Sequence, residues 1–386
     1  MRPLRAQLII SLILFVTTGC YQLPLAANYP GPLQRPHAVA DYYPADENPV
    51  LANITVEKSA HGVTVTRHEL TSSFGPITLH IYEKASNPRD AVVLVFPVLG
   101  GKRNLIEGYF ANLLATNGLN AGIVKRSDEF KKPENFQRFE ELMRTNVIRD
   151  RLALNYLESQ LHKKRFGAFG ISRGAINVAM TAGVDARLAH NVLFMGGSDI
   201  ATVFEQTDQP RARMIIRKIA TQRRVPEASL YEEMRRNIKT DPKYLARYMD
   251  ARKTLLILAR FDHTVPYNRG MSLRRELGYP ETITLASGHY SSAVFTGIAH
   301  DFAMLPPMLP PSYVEQETLR FLRSSFGMAA KPSASLSILR VLSAPLTLAS
   351  RMYNSLVADD GTINPKSPFD GAGLVTAEVG AMKLTP

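Results

Sequence analysis

The apolar run at 91–98, AVVLVFPV, restricts the fold more than any other feature of this 386-residue chain. A strand with one face in water alternates apolar and polar residues. This run is apolar and β-branched without alternation, which is typical of a strand buried on both faces of a parallel sheet. Helical periodicity and short strand-like runs alternate after it, and that alternation predicts βαβ units. The predicted helices are 105–116, 136–161 and 175–184, and the further predicted strands are 120–125, 166–169, 191–195, 254–259 and 282–285.

An antiparallel hairpin is predicted ahead of the βαβ units. Residues 63–70 and 77–82 alternate apolar and polar side chains, and Phe74-Gly75-Pro76 supplies the turn between them. Together with the strands above, the pattern predicts an α/β fold. Its mostly parallel sheet has eight strands and carries helices on both faces.

The segment Phe169-Gly170-Ile171-Ser172-Arg173-Gly174 contains the pattern G-x-S-x-G between a predicted strand and a predicted helix. In that position the pattern indicates a nucleophile elbow, in which the serine hydroxyl projects from a strained turn. The residues two positions away must be small to avoid a clash across the turn. The N-terminus of the following helix favours negative charge at the site. Ser172 is therefore the candidate nucleophile.

From these residues the chain resembles the α/β-hydrolase superfamily, in particular serine esterases and peptidases with a helical cap between the sixth and seventh strands. The resemblance covers about 63–326, and it implies a nucleophile, an acid and a histidine in that order. A serine hydroxyl is a weak nucleophile that needs a base. His289 follows the last predicted strand and is the expected base. His300 is the alternative, and His263 is disfavoured because it adjoins the candidate acid.

The base requires a carboxylate that holds its tautomer and stabilises the imidazolium. Asp262 follows the predicted strand 254–259 and precedes Val265-Pro266, as in the acid loop of the superfamily. Asp199 follows the previous predicted strand and remains the alternative acid. Either aspartate could instead cap a loop, which is a common role for this residue.

Acyl transfer also needs hydrogen-bond donors for the developing oxyanion. The resemblance implies the backbone N–H groups of Arg173, which follows the nucleophile, and of Leu99, which follows the strand 91–98. In the loop that supplies the second donor, relatives often have the sequence His-Gly-x-Gly-Gly. This chain departs from that pattern, because Pro97 and Val98 replace the histidine and the first glycine.

Residues 200–253 are helical in pattern and rich in arginine, and they are too long for a simple crossover. We expect them to form the helical cap, although a pair of solvated peripheral helices would give the same pattern. The chain has a formal net charge of +12. Nucleic acid is nevertheless not expected as a partner, because basic residues are not interleaved with aromatic stacking motifs. No metal or cofactor is expected either, because nucleotide-loop, zinc-helix and cysteine-cluster motifs are missing.

The N-terminal residues are typical of an export signal. Arg2 and Arg5 precede an apolar run at 8–16, which is too short to span a membrane as a helix. Cys20, the only cysteine of the chain, follows directly in a sequence that resembles a bacterial lipobox. We therefore predict a lipoprotein signal peptide at 1–19 and a lipidated Cys20. With Tyr21 next, this predicts a membrane-anchored protein of the outer membrane that faces the periplasm. An ordinary signal peptide cut after Ala26-Ala27 is the alternative.

The domain boundaries follow from composition. Residues 20–52 are rich in proline, tyrosine and alanine and are predicted to be an extended tether. The catalytic domain is expected at 53–327. A loosely structured tail is expected at 328–386, with a short amphipathic helix near 336–356.

These features predict a serine hydrolase that acts on a small-molecule substrate with a carboxylic ester or related acyl bond, through an acyl-enzyme. Peptidases, thioesterases and acyltransferases use the same arrangement of residues, and fold alone does not choose among them. A non-catalytic protein of this fold in the cell envelope is the alternative from another class. The sequence makes no prediction about the oligomeric state.

Overall fold

A single mixed sheet organises the described part of the chain. The computed structural model describes residues 20–99, 105–127, 129–298, 313–329 and 367–369. Within them, ten strands form one sheet in the spatial order β1-β10-β9-β8-β7-β5-β6-β4-β3-β2. The strands are β1 Tyr21–Leu23, β2 Val50–Ala60, β3 Val63–Thr71, β4 Ile77–Lys84, β5 Ala91–Phe96, β6 Ala121–Val124, β7 Arg165–Ile171, β8 Leu188–Phe194, β9 Thr254–Ala259 and β10 Glu281–Leu285.

The centre of the sheet is parallel and its two edges are antiparallel. Strands β6, β5, β7, β8, β9 and β10 pair in parallel. Strand β1 pairs antiparallel with β10, and the meander β2-β3-β4 joins β6 antiparallel. The predicted α/β sheet with a parallel centre is confirmed. The predicted number of eight strands was too low, because β1 and β2 add a strand at each edge.

Helices cover both faces of the sheet, as predicted. The α-helices in the described residues are α1 His37–Tyr42, α2 Leu105–Thr116, α3 Phe139–Ser159, α4 Arg173–Val184, α5 Ile200–Gln206, α6 Pro210–Arg223, α7 Glu227–Asn237, α8 Pro242–Leu245, α9 Tyr267–Glu276 and α10 Tyr313–Ser325. Short 3₁₀ helices are Glu129–Lys131, Pro133–Arg138, Ala246–Tyr248, Ala251–Lys253 and Ser291–Phe295.

Strand β5 shows why the sheet needs both helical layers. Val92, Leu94 and Phe96 belong to the apolar core shared with α3, α4 and the residues after β8. The intervening side chains of the strand belong to the second core, with α2 and α10. All six residues of β5 are buried, so the unbroken apolar run is explained by burial on two sides.

The segment 20–52 differs from the extended tether predicted for it, because it packs against the domain. Tyr21–Leu23 forms the edge strand β1 on β10. Tyr43 is fully buried, and its hydroxyl lies 2.9 Å from the hydroxyl of Thr240. Arg35 donates hydrogen bonds to the carbonyl groups of Ala182 and Gly183. Extended, proline-containing backbone suits an edge strand as well as a tether, so composition alone did not separate the two.

Helices α5 to α8 lie between β8 and β9 and form the predicted cap. Their inner faces are apolar: Ile216, Ile219, Leu230 and Met234 are buried in the core. The insertion is therefore packed onto the domain rather than being a pair of solvated helices.

Two predictions fall outside the described residues: the signal peptide at 1–19 and the helix near 336–356. Of the predicted tail, residues 328–329 and 367–369 are described. Phe369 is buried, and its ring centroid lies 5.6 Å from that of Tyr42 and 6.2 Å from that of Tyr43.

Candidate active site

Ser172 occupies a strained turn between β7 and α4. Its backbone has φ 56° and ψ −122°, in a region that non-glycine residues rarely adopt. The Ser172 N–H donates a hydrogen bond of 2.7 Å to the carbonyl of Phe194 at the end of β8. The turn is thus held by the neighbouring strand, and it presents Ser172 at the carboxyl edge of the parallel strands.

The two glycines of the motif are required by close backbone contacts. A Cβ added to Gly170 would lie closer than 3.0 Å to the backbone of Gly174 and Ala175. A Cβ added to Gly174 would lie closer than 3.0 Å to the carbonyl oxygen of Phe96 in β5. Backbone atoms of a packed helix or strand cannot move away cheaply, so a side chain at either position would strain the turn.

His289 and Asp262 come together at the ends of β10 and β9. The Nδ1 of His289 lies 2.7 Å from Oδ2 of Asp262, and since a carboxylate only accepts, Nδ1 is assigned as the donor. The second oxygen of Asp262 accepts the backbone N–H groups of Thr264 at 2.8 Å and Val265 at 2.9 Å. The Asp262 carboxylate is buried and fixed by three donors, with one oxygen aimed at His289.

Two backbone hydrogen bonds join the loops that carry this pair. The N–H of Arg260 donates to the carbonyl of Leu285 at 2.8 Å, and the N–H of Phe261 donates to that of Ser287 at 2.9 Å. These bonds extend the β9–β10 pairing beyond the strands. They bring Asp262 and His289 within reach of each other.

The structure places the alternative residues elsewhere. The Asp199 carboxylate accepts a hydrogen bond from the hydroxyl of Thr202 and lies 3.6 Å from Arg269 and 3.7 Å from Lys243. His263 is exposed at the surface. His300 lies outside the described residues. Asp262 is therefore the carboxylate that contacts His289.

The two residues predicted to supply the oxyanion donors, Arg173 and Leu99, line the same cavity as Ser172. Arg173 is the first residue of α4, where backbone N–H groups point out of the N-terminal end of a helix. Leu99 lies on the wall of the cavity described below, whereas Gly100 and Gly101 of the same loop fall outside the described residues.

Glu107 is a site residue that sequence reasoning missed. Its carboxylate accepts the backbone N–H of Val98 at 2.7 Å, directly before Leu99. The side chain is buried, and burial raises the pKa of the Glu107 carboxyl. Glu107 anchors the loop after β5. The sequence signal was weak, since a glutamate in the first turn of a helix is common for other reasons.

Ser172 and His289 share the wall of a cavity of about 290 Å³ beneath the cap. The guanidinium of Arg173 lies over the ring of Phe130, 4.5 Å from its centroid. The remaining lining is largely apolar. It comes from the loop after β5, helices α2 to α6, the 3₁₀ helix after β6, the ends of β7 and β8, and the loops after β8, β9 and β10. It comprises Val98, Leu99, Ile106, Phe130, Phe139, Met143, Ile171, Ile176, Phe194, Met195, Ile200, Val203, Phe204, Ala212, Val265, Tyr290, Ala293 and Ile298, with Thr207, Gln209, Thr264 and Thr296.

Cys20, predicted to carry a lipid, is buried in the second core, and burial raises the pKa of its thiol. Lipidation at this residue stays a prediction.

Across residues 20–99, 105–127, 129–298, 313–329 and 367–369, no helix is long and apolar enough to cross a membrane. The same residues contain no group of three or more His, Cys, Asp or Glu that could hold a metal ion.

Comparison with known proteins identifies the fold. No protein-family model matches the chain, and no curated protein matches it either. Acetyl xylan esterase 1 from Thermoanaerobacterium sp. JW/SL YS485 superposes with a TM-score of 0.51 at 14% identity, covering 72% of this chain and 94% of that one. The acetyl xylan esterase of Paenibacillus sp. R4 has a TM-score of 0.48 at 16% identity, with 69% and 89% covered. An esterase of Pyrococcus furiosus has a TM-score of 0.48 at 12% identity, with 72% and 97% covered.

Because the sequence identity is only 14%, the superposition on the Thermoanaerobacterium enzyme is evidence for the fold alone. Together with the parallel strand order and the capped carboxyl edge, it shows that the chain has the α/β-hydrolase fold. The predicted fold class is confirmed. What the chain does must be argued from its own side chains.

Proposed function

We propose that this protein is a serine hydrolase of carboxylic esters that works through an acyl-enzyme on Ser172. The observation that carries the proposal is the 2.7 Å contact between His289 Nδ1 and Asp262, on the wall of the cavity that Ser172 also lines. An oriented imidazole beside an elbow serine is what activation of a hydroxyl nucleophile requires. Superposition on esterases of the same fold is consistent with ester hydrolysis in general.

The first half-reaction acylates the enzyme. The Ser172 hydroxyl oxygen attacks the ester carbonyl carbon while His289 Nε2 takes the hydroxyl proton. Asp262 keeps Nδ1 protonated, so Nε2 is the basic nitrogen, and it stabilises the imidazolium that forms. The N–H groups of Arg173 and Leu99 donate to the oxyanion of the tetrahedral intermediate. The imidazolium then gives its proton to the leaving alkoxide, and the alcohol departs.

The second half-reaction releases the acid. His289 takes a proton from water, and the resulting nucleophile attacks the acyl carbon. The tetrahedral intermediate collapses, Ser172 leaves with the proton from His289, and the carboxylic acid dissociates. Each proton taken by His289 is returned in the same half-reaction, so no metal or cofactor is needed to balance the steps.

The test compares the purified parent chain with Ser172→Ala and His289→Ala on a short-chain p-nitrophenyl ester. Both variants should lose at least about 10³-fold in kcat, as triad deletions do. Ser229→Ala, at an exposed serine of α7, is the matched control and should retain parental turnover. Unchanged thermal unfolding of Ser172→Ala would show that the fold is intact. Parental turnover by that variant would refute the proposal and favour a non-catalytic role.

The bond type is tested with matched substrates. An ester, a thioester and an anilide of the same acid should be cleaved with the ester preferred over the anilide by orders of magnitude. Addition of a short alcohol would reveal acyl transfer as an ester product. A preference for the anilide would assign a peptidase instead.

We further propose that the chain is exported and anchored through an acylated Cys20. The position of the only cysteine directly after a signal-like segment supports this. Acyl chains at this residue cannot occupy the buried site that the thiol holds beside Ala286. The proposal therefore requires residue 20 to leave that site in the anchored protein.

A further inference from the structure

We propose that the cavity beneath the cap binds an apolar acyl chain of medium length, so that the preferred substrates are medium-chain fatty acyl esters. The inference rests on the proposed ester hydrolysis and adds the substrate class. Its basis is the lining: eighteen of the side chains around the cavity are hydrocarbon, thioether or aromatic. Burial of apolar surface is the main source of affinity that such a wall can offer.

The polar side chains in the lining already bond within the protein. The Thr207 hydroxyl donates to the carbonyl of Thr264 at 2.6 Å, and the Thr264 hydroxyl donates to Asp208 at 2.8 Å. The Gln209 side-chain oxygen accepts the N–H of Ala212 at 2.8 Å, at the start of α6.

The Thr296 hydroxyl donates to the carbonyl of Ala293 at 2.8 Å. The threonine hydroxyl protons and the Gln209 side-chain oxygen are engaged in these bonds, and a sugar hydroxyl in this cavity would lose its own water. Since burying a polar group without a hydrogen-bond partner is unfavourable, the cavity disfavours a carbohydrate acyl acceptor inside it. It suits a hydrocarbon chain.

The cap contributes part of the apolar wall. Phe204 of α5 packs edge-on against Phe139 of α3, with ring centroids 6.0 Å apart. Phe130 also packs edge-on with Phe139, with ring centroids 5.7 Å apart. Ala212 of α6 also lines the cavity, and its small side chain leaves room there. Cap residues therefore form part of the wall that limits the chain the cavity can hold.

The volume sets the expected chain length. At about 30 Å³ for each methylene-sized unit, which is also the volume of a water molecule in the liquid, about 290 Å³ holds about ten non-hydrogen atoms. With the reacting ester group included, this corresponds to an acyl chain of about six to eight carbons.

The first experiment measures kcat/KM of the full chain for p-nitrophenyl acetate, butyrate, hexanoate, octanoate and laurate. Each buried methylene should raise kcat/KM about fourfold, the fold-change that corresponds to about 0.8 kcal/mol. Hexanoate, with four more methylenes, should exceed acetate by roughly 250-fold, and laurate should fall below octanoate because the chain no longer fits.

The second experiment changes the wall. Ala212→Leu, which fills part of the cavity, should lower the octanoate-to-acetate ratio at least about tenfold. Ala228→Leu adds the same side chain to an exposed cap position and should leave the ratio unchanged. Should Ala212→Leu not fold, Phe204→Ala serves instead, and it should move the optimum toward laurate.

The outcomes separate the two proposals. The acyl-chain inference would be overturned if acetate were turned over as well as hexanoate and if neither Ala212→Leu nor Phe204→Ala changed the octanoate-to-acetate ratio. Ester hydrolysis would still stand in that case. Failure to hydrolyse every ester of the series would overturn the proposed function itself. A falling ratio in Ala228→Leu as well as in Ala212→Leu would show a general effect on the cap and would also count against the inference.

Discussion

Replacement of Asp262 by asparagine tests the assignment of the acid with almost no change in shape. In the parent, one carboxylate oxygen accepts the N–H groups of Thr264 and Val265, and the other accepts Nδ1–H of His289. The asparagine oxygen must stay with the two backbone donors. The amide nitrogen then faces His289 and donates to Nδ1, so the imidazole carries its proton on Nε2. In that tautomer it cannot take the proton of Ser172.

The expected loss of turnover depends on the free energy that is needed to flip the side-chain amide of the asparagine. The flipped asparagine would restore the tautomer but would leave two buried N–H groups without their acceptor. At about 1–3 kcal/mol for each, the flip costs roughly 2–6 kcal/mol. Turnover should therefore fall by at least about 30-fold. It should fall by about 10⁴-fold if the asparagine does not flip and the imidazole keeps the wrong tautomer.

The assay is kcat on p-nitrophenyl hexanoate for the parent, Asp262→Asn and the matched control Asp199→Asn. Circular dichroism and thermal unfolding verify that all three are folded. Asp199→Asn should stay within about threefold of the parent, because its carboxylate pairs with Lys243 and Arg269 instead of His289. A large loss of turnover in Asp199→Asn together with a small one in Asp262→Asn would show that Asp199 is the acid instead.

Three further predictions concern other parts of the molecule. Gly174→Ala should lower turnover at least about 100-fold and the free energy of unfolding by roughly 1–3 kcal/mol, measured by urea denaturation, because its Cβ would meet the carbonyl oxygen of Phe96. Burial raises the pKa of Asp241 from 3.8 to about 6 in the folded protein, which therefore binds more protons than the unfolded chain between these values. The free energy of unfolding should fall by roughly 3 kcal/mol as pH rises through this window, and Asp241→Asn should remove that contribution in urea titrations across it; an identical pH slope in parent and variant would contradict the assignment. Cys20→Ser should release the expressed protein from the membrane fraction or leave its signal uncleaved, and continued membrane association in high salt would count against lipid anchoring.

The central elements were predictable because their signals are local. Helix 105–116 and strand 254–259 have the predicted bounds, and the strand buried on both faces was recognised from its unbroken apolar run. Periodicity and burial act over a few residues, so a single sequence contains them.

The N-terminal segment was not predictable in the same way. Strand β1 exists because Tyr21–Leu23 pairs with residues 282–284, about two-thirds of the chain away. Tyr43 is held by contacts that are also distant in sequence, to Arg151 of α3 and to Thr240 of the cap segment. Long-range pairing of this kind leaves no periodic signal in a three-residue strand.

The choice between Asp262 and Asp199 also needed the structure. Both follow strands that end at the same edge of the sheet, so chain order allowed either. What separates them is the path of two loops joined by the backbone bonds of Arg260 and Phe261.

The cavity lining was not recognised for a related reason. Phe139 and Met143 are one helical turn apart, which predicts a shared face but does not distinguish a core face from a cavity wall. That distinction depends on how the cap packs above them.

Covalent trapping of the nucleophile shows directly whether Ser172 is the residue that attacks the substrate. The folded parent is incubated with a fluorophosphonate, digested, and mapped by mass spectrometry, beside Ser172→Ala and His289→Ala. We expect one phosphonylated peptide that contains Ser172, no adduct in Ser172→Ala, and labelling at least about 100-fold slower in His289→Ala, because the hydroxyl has lost its base. An adduct at another serine, or ester hydrolysis that persists without any adduct on Ser172, would contradict this expectation.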